Sequence, residues 1–180
     1  MLANVLTGLR LILALPVALA FAYPGALAPE PLVALILLAI ASDLADGPAA
    51  RRFGTASSAG MLFDHGTDFF FVTSALFAIA FSGKISVLLP CLIVLAFSQY
   101  VLDSYFLFRQ KSLRMSLLGR WNGVFYFAPL MLFAAADSTA KFGAFSNALS
   151  LAGTGVVWAL CASTAASIVD RGLAPLRSDH

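Results

Sequence analysis

Four aspartates, Asp43, Asp46, Asp64 and Asp68, are the side chains best placed to do chemistry in this 180-residue sequence. They are four of its nine acidic residues, and they fall at the end of one long apolar run and the beginning of the next. A carboxylate at membrane depth is costly unless it is paired, protonated or bound to a cation, so acids in such runs are functional candidates. Asp43 and Asp46 are three apart and share a helix face, and Asp64 and Asp68, four apart, share another. Two antiparallel helices joined by a short loop can aim all four at one point. Four converging carboxylates with no cluster of Lys or Arg inside the helices repel one another, so their joint ionisation calls for bound cations. Oxygen ligands without Cys or paired His favour Mg²⁺ or Mn²⁺ over Zn²⁺. Two close divalent ions suit displacement at phosphorus, where attacking and leaving oxygens are stabilised together. Gly47 and Gly60 remove side chains beside the acids, either for a bulky ligand or for close helix packing. Pro48 cannot donate to the Leu44 carbonyl, which predicts a kink or an end to the helix there.

The elements that must position these acids follow from composition. With 61% hydrophobic residues, 11% charged residues and a mean hydropathy of +0.91, the chain has too little polar surface to cover a water-soluble globule. It belongs in a lipid bilayer, and no nucleic-acid partner is expected. The apolar runs predict about six spans, near 3–23, 31–49, 60–82, 85–108, 118–136 and 146–169, in one domain over 1–180. Strict alternation over ~10-residue stretches is absent, so the expectation is an all-α membrane bundle and not a β-barrel. Arg10, Arg51, Arg52, Arg109, Lys111, Arg114, Arg120, Arg171 and Arg177 fall at one side of these spans, and only Lys84 and Lys141 at the other. That asymmetry places both termini in the cytoplasm. Ala20-Phe21-Ala22 looks like a secretory cleavage site, but Arg10 lies inside the apolar helix on one face with Asn4 and Thr7, unlike the charge preceding a signal core. Cys91 and Cys161 lie in apolar runs and read as packed, reduced thiols.

The spacing of the acids also resembles a known family. Asp43-Leu-Ala-Asp46-Gly47-Pro-Ala-Ala50-Arg51, eight residues, then Gly60-Met-Leu-Phe-Asp64-His-Gly-Thr-Asp68 matches all eight fixed positions of the CDP-alcohol phosphatidyltransferase signature, DxxDGxxARx8GxxxDxxxD. Asn4-Val-Leu6-Thr7-Gly-Leu-Arg10 is similar to the NxLTxxR opening of the bacterial phosphatidylglycerophosphate and cardiolipin synthase branches. The resemblance implies that Asp43, Asp46, Asp64 and Asp68 hold a divalent metal pair against the diphosphate of CDP-diacylglycerol. It makes Asp68 the general base toward the acceptor hydroxyl. Gly47, Ala50 and Gly60 correspond to positions that admit the CDP-lipid, and Arg51 to the arginine that supports the nucleotide phosphates. The family's habits further imply a homodimer in a bacterial inner membrane, with its site open to the cytoplasm.

The acceptor is a polar alcohol, and a negatively charged one needs nearby Arg or Lys. Arg10, Arg109, Lys111, Arg114 and Arg120 are the candidates on the cytoplasmic side. Ser116-Leu-Leu-Gly119-Arg120 departs from the GKxxT stretch of phosphatidylglycerophosphate and cardiolipin synthases, and Asp64-His-Gly-Thr-Asp68-Phe69 lacks the lysine of their DPLADK. Glycerol 3-phosphate is the first choice of acceptor, followed by inositol phosphate, phosphatidylglycerol and serine. His65 reads as an interfacial histidine, and Asp103 and Asp137 as ordinary solvated or paired charges. An intramembrane prenyltransferase would usually show two separated Asp-rich motifs, and a cation transporter built on inverted repeats would show a second acidic pair. Neither is present in the sequence.

Overall fold

The computed structural model describes residues 2–52, 58–102 and 117–177, with side chains described for 5–45, 60, 62–102 and 118–173. The described residues are mostly helical, with no strand among them. In chain order the helices are α1 (Leu2–Ala22), α2 (Pro29–Arg52), α3 (Ser58–Phe81), α4 (Leu88–Leu102), α5 (Leu117–Phe125), α6 (Phe127–Ser138) and α7 (Ala144–Arg177). A single 3₁₀ turn, Ala140–Phe142, joins α6 to α7.

Among the described residues each of the six expected spans coincides with helix, residues 103–108 of the fourth lying outside them, with one correction. The fifth is split at Tyr126 into α5 and α6. Pro129 accounts for the split, because a proline nitrogen cannot donate to the Phe125 carbonyl four residues earlier. Of the two outcomes expected at Pro48, a kink or an end to the helix, the end does not occur, since α2 runs on through it to Arg52. Turn chemistry closes the helices where the sequence says it should. At the end of α3, Gly83 takes a φ of 79°, its N–H donates to Ala80 at 2.9 Å and that of Lys84 donates to Ile79 at 3.2 Å. This is the Schellman arrangement, which needs a residue tolerant of positive φ at its corner.

α1 packs on α2 and α3, α6 on α2 and α7, and α4 and α5 on α7. Val17, Ile36, Phe71, Leu76, Ile79 and Leu130 are fully enclosed where these helices meet. The outside of the bundle is apolar as well: Ile12 is 72% exposed and Leu151 75% exposed, among many large hydrophobic residues in the same position. Patches of that extent on a lone chain mark a surface meant for something other than water. Among the described residues, two helices are long and apolar enough to cross a bilayer on their own measure, at Val5–Ala22 and Ala144–Leu173. The acids in α2 and α3 lower the hydropathy of those helices, and the Tyr126 break shortens the next pair. Of the cysteines, Cys161 is buried as expected, whereas Cys91 is exposed on α4; both are free thiols.

Candidate active site at one end of the bundle

Two helices deliver the described acids. Asp43 lies in the later half of α2, and Asp64 and Asp68 lie one turn apart early in α3, so the antiparallel pair brings them to the same end of the bundle. Gly60 lies one turn before Asp64, on the first turn of α3. Nearby hydroxyls are occupied locally, Ser42 donating to the Ala39 carbonyl and Thr67 to that of Phe63, each at 2.8 Å. They therefore do not tie up the carboxylates.

The partner of the acids comes from α1. The Arg10 side chain is fully buried, and its Nη1 donates to Asp43 Oδ1 at 2.9 Å while its Nη2 donates to Asp64 Oδ1 at 2.5 Å. Nη1 also forms an ion pair with Asp68 Oδ1. A planar guanidinium can do this because its donors fan out in one rigid fork. Arg10 was a candidate for acceptor binding, and the structure seats it among the aspartates. The charge argument from sequence is amended in the same way, since one interior cation already offsets part of the repulsion that metal ions were called on to relieve.

Asp43, Asp64 and Asp68 are 34%, 26% and 24% exposed in their side chains, and they line a cavity of about 290 Å³. Their carboxylates thus stand between the buried guanidinium and an open space. His65 lines the cavity too, and one ligating atom from each of Asp64, His65 and Asp68 lies within 4.8 Å of the others. This donor set could hold a divalent ion: two hard carboxylate oxygens from neighbouring turns of α3 stand at a solvent-reachable opening, and the imidazole read from sequence as merely interfacial adds a nitrogen.

The cavity is also lined by residues that sequence reasoning largely missed. Arg120 and Asn122 of α5, Tyr126 at the break, Tyr100 of α4, and Ser167 and Arg171 of α7 all line it. The Arg171 guanidinium lies over the Tyr100 ring, 5.2 Å from its centroid. Ser163 donates to Asn122 Oδ1 at 2.6 Å, and the Tyr126 hydroxyl shares a 2.8 Å hydrogen bond with Thr164. Phe69, Val72, Ile93 and Phe97 make the remaining wall apolar, with Phe69 and Phe97 stacked at 4.1 Å. The signal for the polar wall was present. Thr164, Ser167 and Arg171 recur at helical spacing along the otherwise apolar α7, which puts them on one face.

Of the remaining candidates, Arg120 reaches the cavity. Asp46, Gly47, Ala50 and Arg51 lie on the last turns of α2, with their side chains outside the described set. Arg109, Lys111 and Arg114, with Asp103, lie outside the described residues altogether. At the opposite end of the bundle, Lys84 Nζ contacts both carboxylate oxygens of Asp137 at 2.6 and 2.7 Å, so Asp137 is a paired charge, as its sequence context suggested.

Comparison with known proteins agrees with the signature. The family model for CDP-alcohol phosphatidyltransferase matches residues 1–170. No curated protein and no solved structure matches the chain.

Proposed function

Because the chain belongs to the CDP-alcohol phosphatidyltransferase family, we propose that it transfers the phosphatidyl group of CDP-diacylglycerol to glycerol 3-phosphate, releasing CMP for phospholipid synthesis. At the level of the family, it is an enzyme that moves a substituted phosphate group from a CDP-alcohol to an alcohol acceptor. Membership also sets aside the prenyltransferase and transporter readings.

The observation that carries the finer reading is one cavity lined by both acids and arginines. Asp43, Asp64 and Asp68 line the same space as Arg120 and Arg171. The acids are the place for two divalent ions, Mg²⁺ or Mn²⁺, with Asp46 as the fourth ligand. When bound, such ions neutralise diphosphate charge and steady the attacking and leaving oxygens. Gly47, Ala50 and Gly60 leave room for the CDP end, and Arg51 supports its phosphates. Arg120 and Arg171 supply the donors that an anionic acceptor requires. Asp68 takes the proton of the acceptor hydroxyl. That oxygen forms a bond to the lipid-side phosphorus, and the bond from phosphorus to the oxygen of CMP breaks.

The protein acts as a homodimer in the bacterial inner membrane, a single domain of six spans with both termini and the active site at the cytoplasmic face. The exposed apolar exterior supports this. So does the charge layout: from Asp64 to the end of α3 at Phe81 is about 25 Å at 1.5 Å per residue, close to the hydrocarbon thickness. The acids with Arg10 stand at one edge, and Lys84, Asp137 and Lys141 at the other.

The test is acceptor-dependent product formation. Purified protein in detergent, given CDP-diacylglycerol with Mg²⁺ or Mn²⁺, should release CMP with glycerol 3-phosphate. The same panel includes inositol phosphate, inositol, serine and phosphatidylglycerol. Release with one of these alone would replace the acceptor and keep the chemistry, whereas silence with all of them from folded protein would overturn CDP-diacylglycerol as donor.

A further inference from the structure

Arg10 is the largest fully buried side chain in the bundle, and nothing in the transfer chemistry above uses it. A buried ion is tolerable only with excellent partners, because desolvation costs several kcal/mol and the pairs must return it. Among the described side chains Arg10 has three such partners from two helices, Asp43 on α2 and Asp64 and Asp68 on α3, each met by its terminal nitrogens. Its position behind the carboxylates matters. The acids line the cavity and Arg10 does not, so a cation entering from the cavity meets oxygens already engaged from the other side. Among the described side chains, three carboxylates against one guanidinium leave two formal negative charges, the charge one divalent ion neutralises.

We propose that Arg10 is a resident counter-ion of the acidic site, a positioning residue that keeps the carboxylates of α2 and α3 converged before metal arrives and that weakens metal binding by its own charge. The proposal rests on the metal reading of those acids. The carboxylates ride on helices that pack with α1, so removing the guanidinium leaves them facing one another with little freedom to separate. Mutual repulsion then destabilises the metal-free protein, and an incoming divalent ion relieves more of it than in the wild type. Removing the positive charge also lifts its repulsion of the ion. At a separation near 6 Å, that repulsion alone corresponds to roughly tenfold in affinity even with water-like screening.

The experiment compares wild type, Arg10→Gln and Arg10→Lys in detergent. Mn²⁺ binding is followed by the electron paramagnetic resonance of free Mn²⁺, and thermal unfolding is recorded with and without the ion. Arg10→Gln should bind Mn²⁺ roughly tenfold tighter and gain more in melting temperature from it than the wild type does. Arg10→Lys retains the charge without the fork, so its Mn²⁺ affinity should stay near that of the wild type while its metal-free melting temperature falls. If Arg10→Gln can be purified only with Mn²⁺ present, the lysine variant decides, and a metal-free melting temperature equal to that of the wild type overturns the proposal. Binding by Arg10→Gln no tighter than by a wild type that does bind Mn²⁺ overturns it alone. A wild type that binds no Mn²⁺ overturns both it and the metal reading.

Discussion

Replacing Arg171 by Gln should weaken the enzyme toward its acceptor and leave its handling of the CDP-lipid nearly unchanged. Arg171 comes from α7, is partly buried, and is held with its guanidinium 5.2 Å from the Tyr100 ring centroid in the cavity that the acids also line. A charged donor restrained in that way loses little freedom on meeting a phosphate, so its bond should reach the range of charge-assisted hydrogen bonds, about 1.5–3 kcal/mol. The acceptor KM should therefore rise roughly 10- to 100-fold, with kcat affected less, because the phosphate is bound alike in ground and transition states. Arg120 lines the same cavity but is exposed, so Arg120→Gln should produce a smaller rise. The assay is CMP release at varied glycerol 3-phosphate with CDP-diacylglycerol saturating, repeated with the two substrates exchanged. An acceptor KM within twofold of wild type would refute the argument, as would an equal rise in the KM for CDP-diacylglycerol.

Three further outcomes test the fold. A Cβ at Gly153 would lie 3.2 Å from two ring carbons of Phe133, whereas one at Gly155 meets nothing within 4 Å; Gly153→Val should lower stability by about 1–3 kcal/mol through overpacking of α6 on α7, and Gly155→Val should show a smaller loss in the same thermal unfolding measurement. Gly83→Ala places a Cβ at a φ of 79° and should cost about 1 kcal/mol at the corner after α3, read as a lowered melting temperature. Lys84→Ala removes the ion pair to Asp137, but with these side chains 31% and 39% exposed the loss should stay below about 1 kcal/mol, and activity should be unchanged.

The sequence was most informative where periodicity and residue type pointed the same way. Apolar runs located all six helical segments, and the i, i+3 and i, i+4 spacings put Asp43, Asp64 and Asp68 where the structure brings them together. The break at Tyr126 was legible in Pro129 but was overridden by an uninterrupted apolar run from 118 to 136. Arg10 was less legible for a different reason. Its helix face could be read from Thr7 and Arg10 at i and i+3, but which neighbouring helix that face meets is a matter of tertiary packing. An arginine near a membrane boundary suits topology, acceptor binding and internal pairing equally well until α2 and α3 are seen beside it. The polar wall of Asn122, Ser163, Thr164, Ser167 and Arg171 was obscured in the same way, because each residue alone is an unremarkable polar interruption in an apolar helix.

The central claim is that the converging acids perform phosphatidyl transfer with Asp68 as the base, and CMP release by Asp68→Asn tests it most directly. With CDP-diacylglycerol, divalent metal and the acceptor that supports wild-type turnover all saturating, the account predicts a rate at least about a hundredfold below wild type from a variant that is still folded. CMP release at a near-wild-type rate would contradict it.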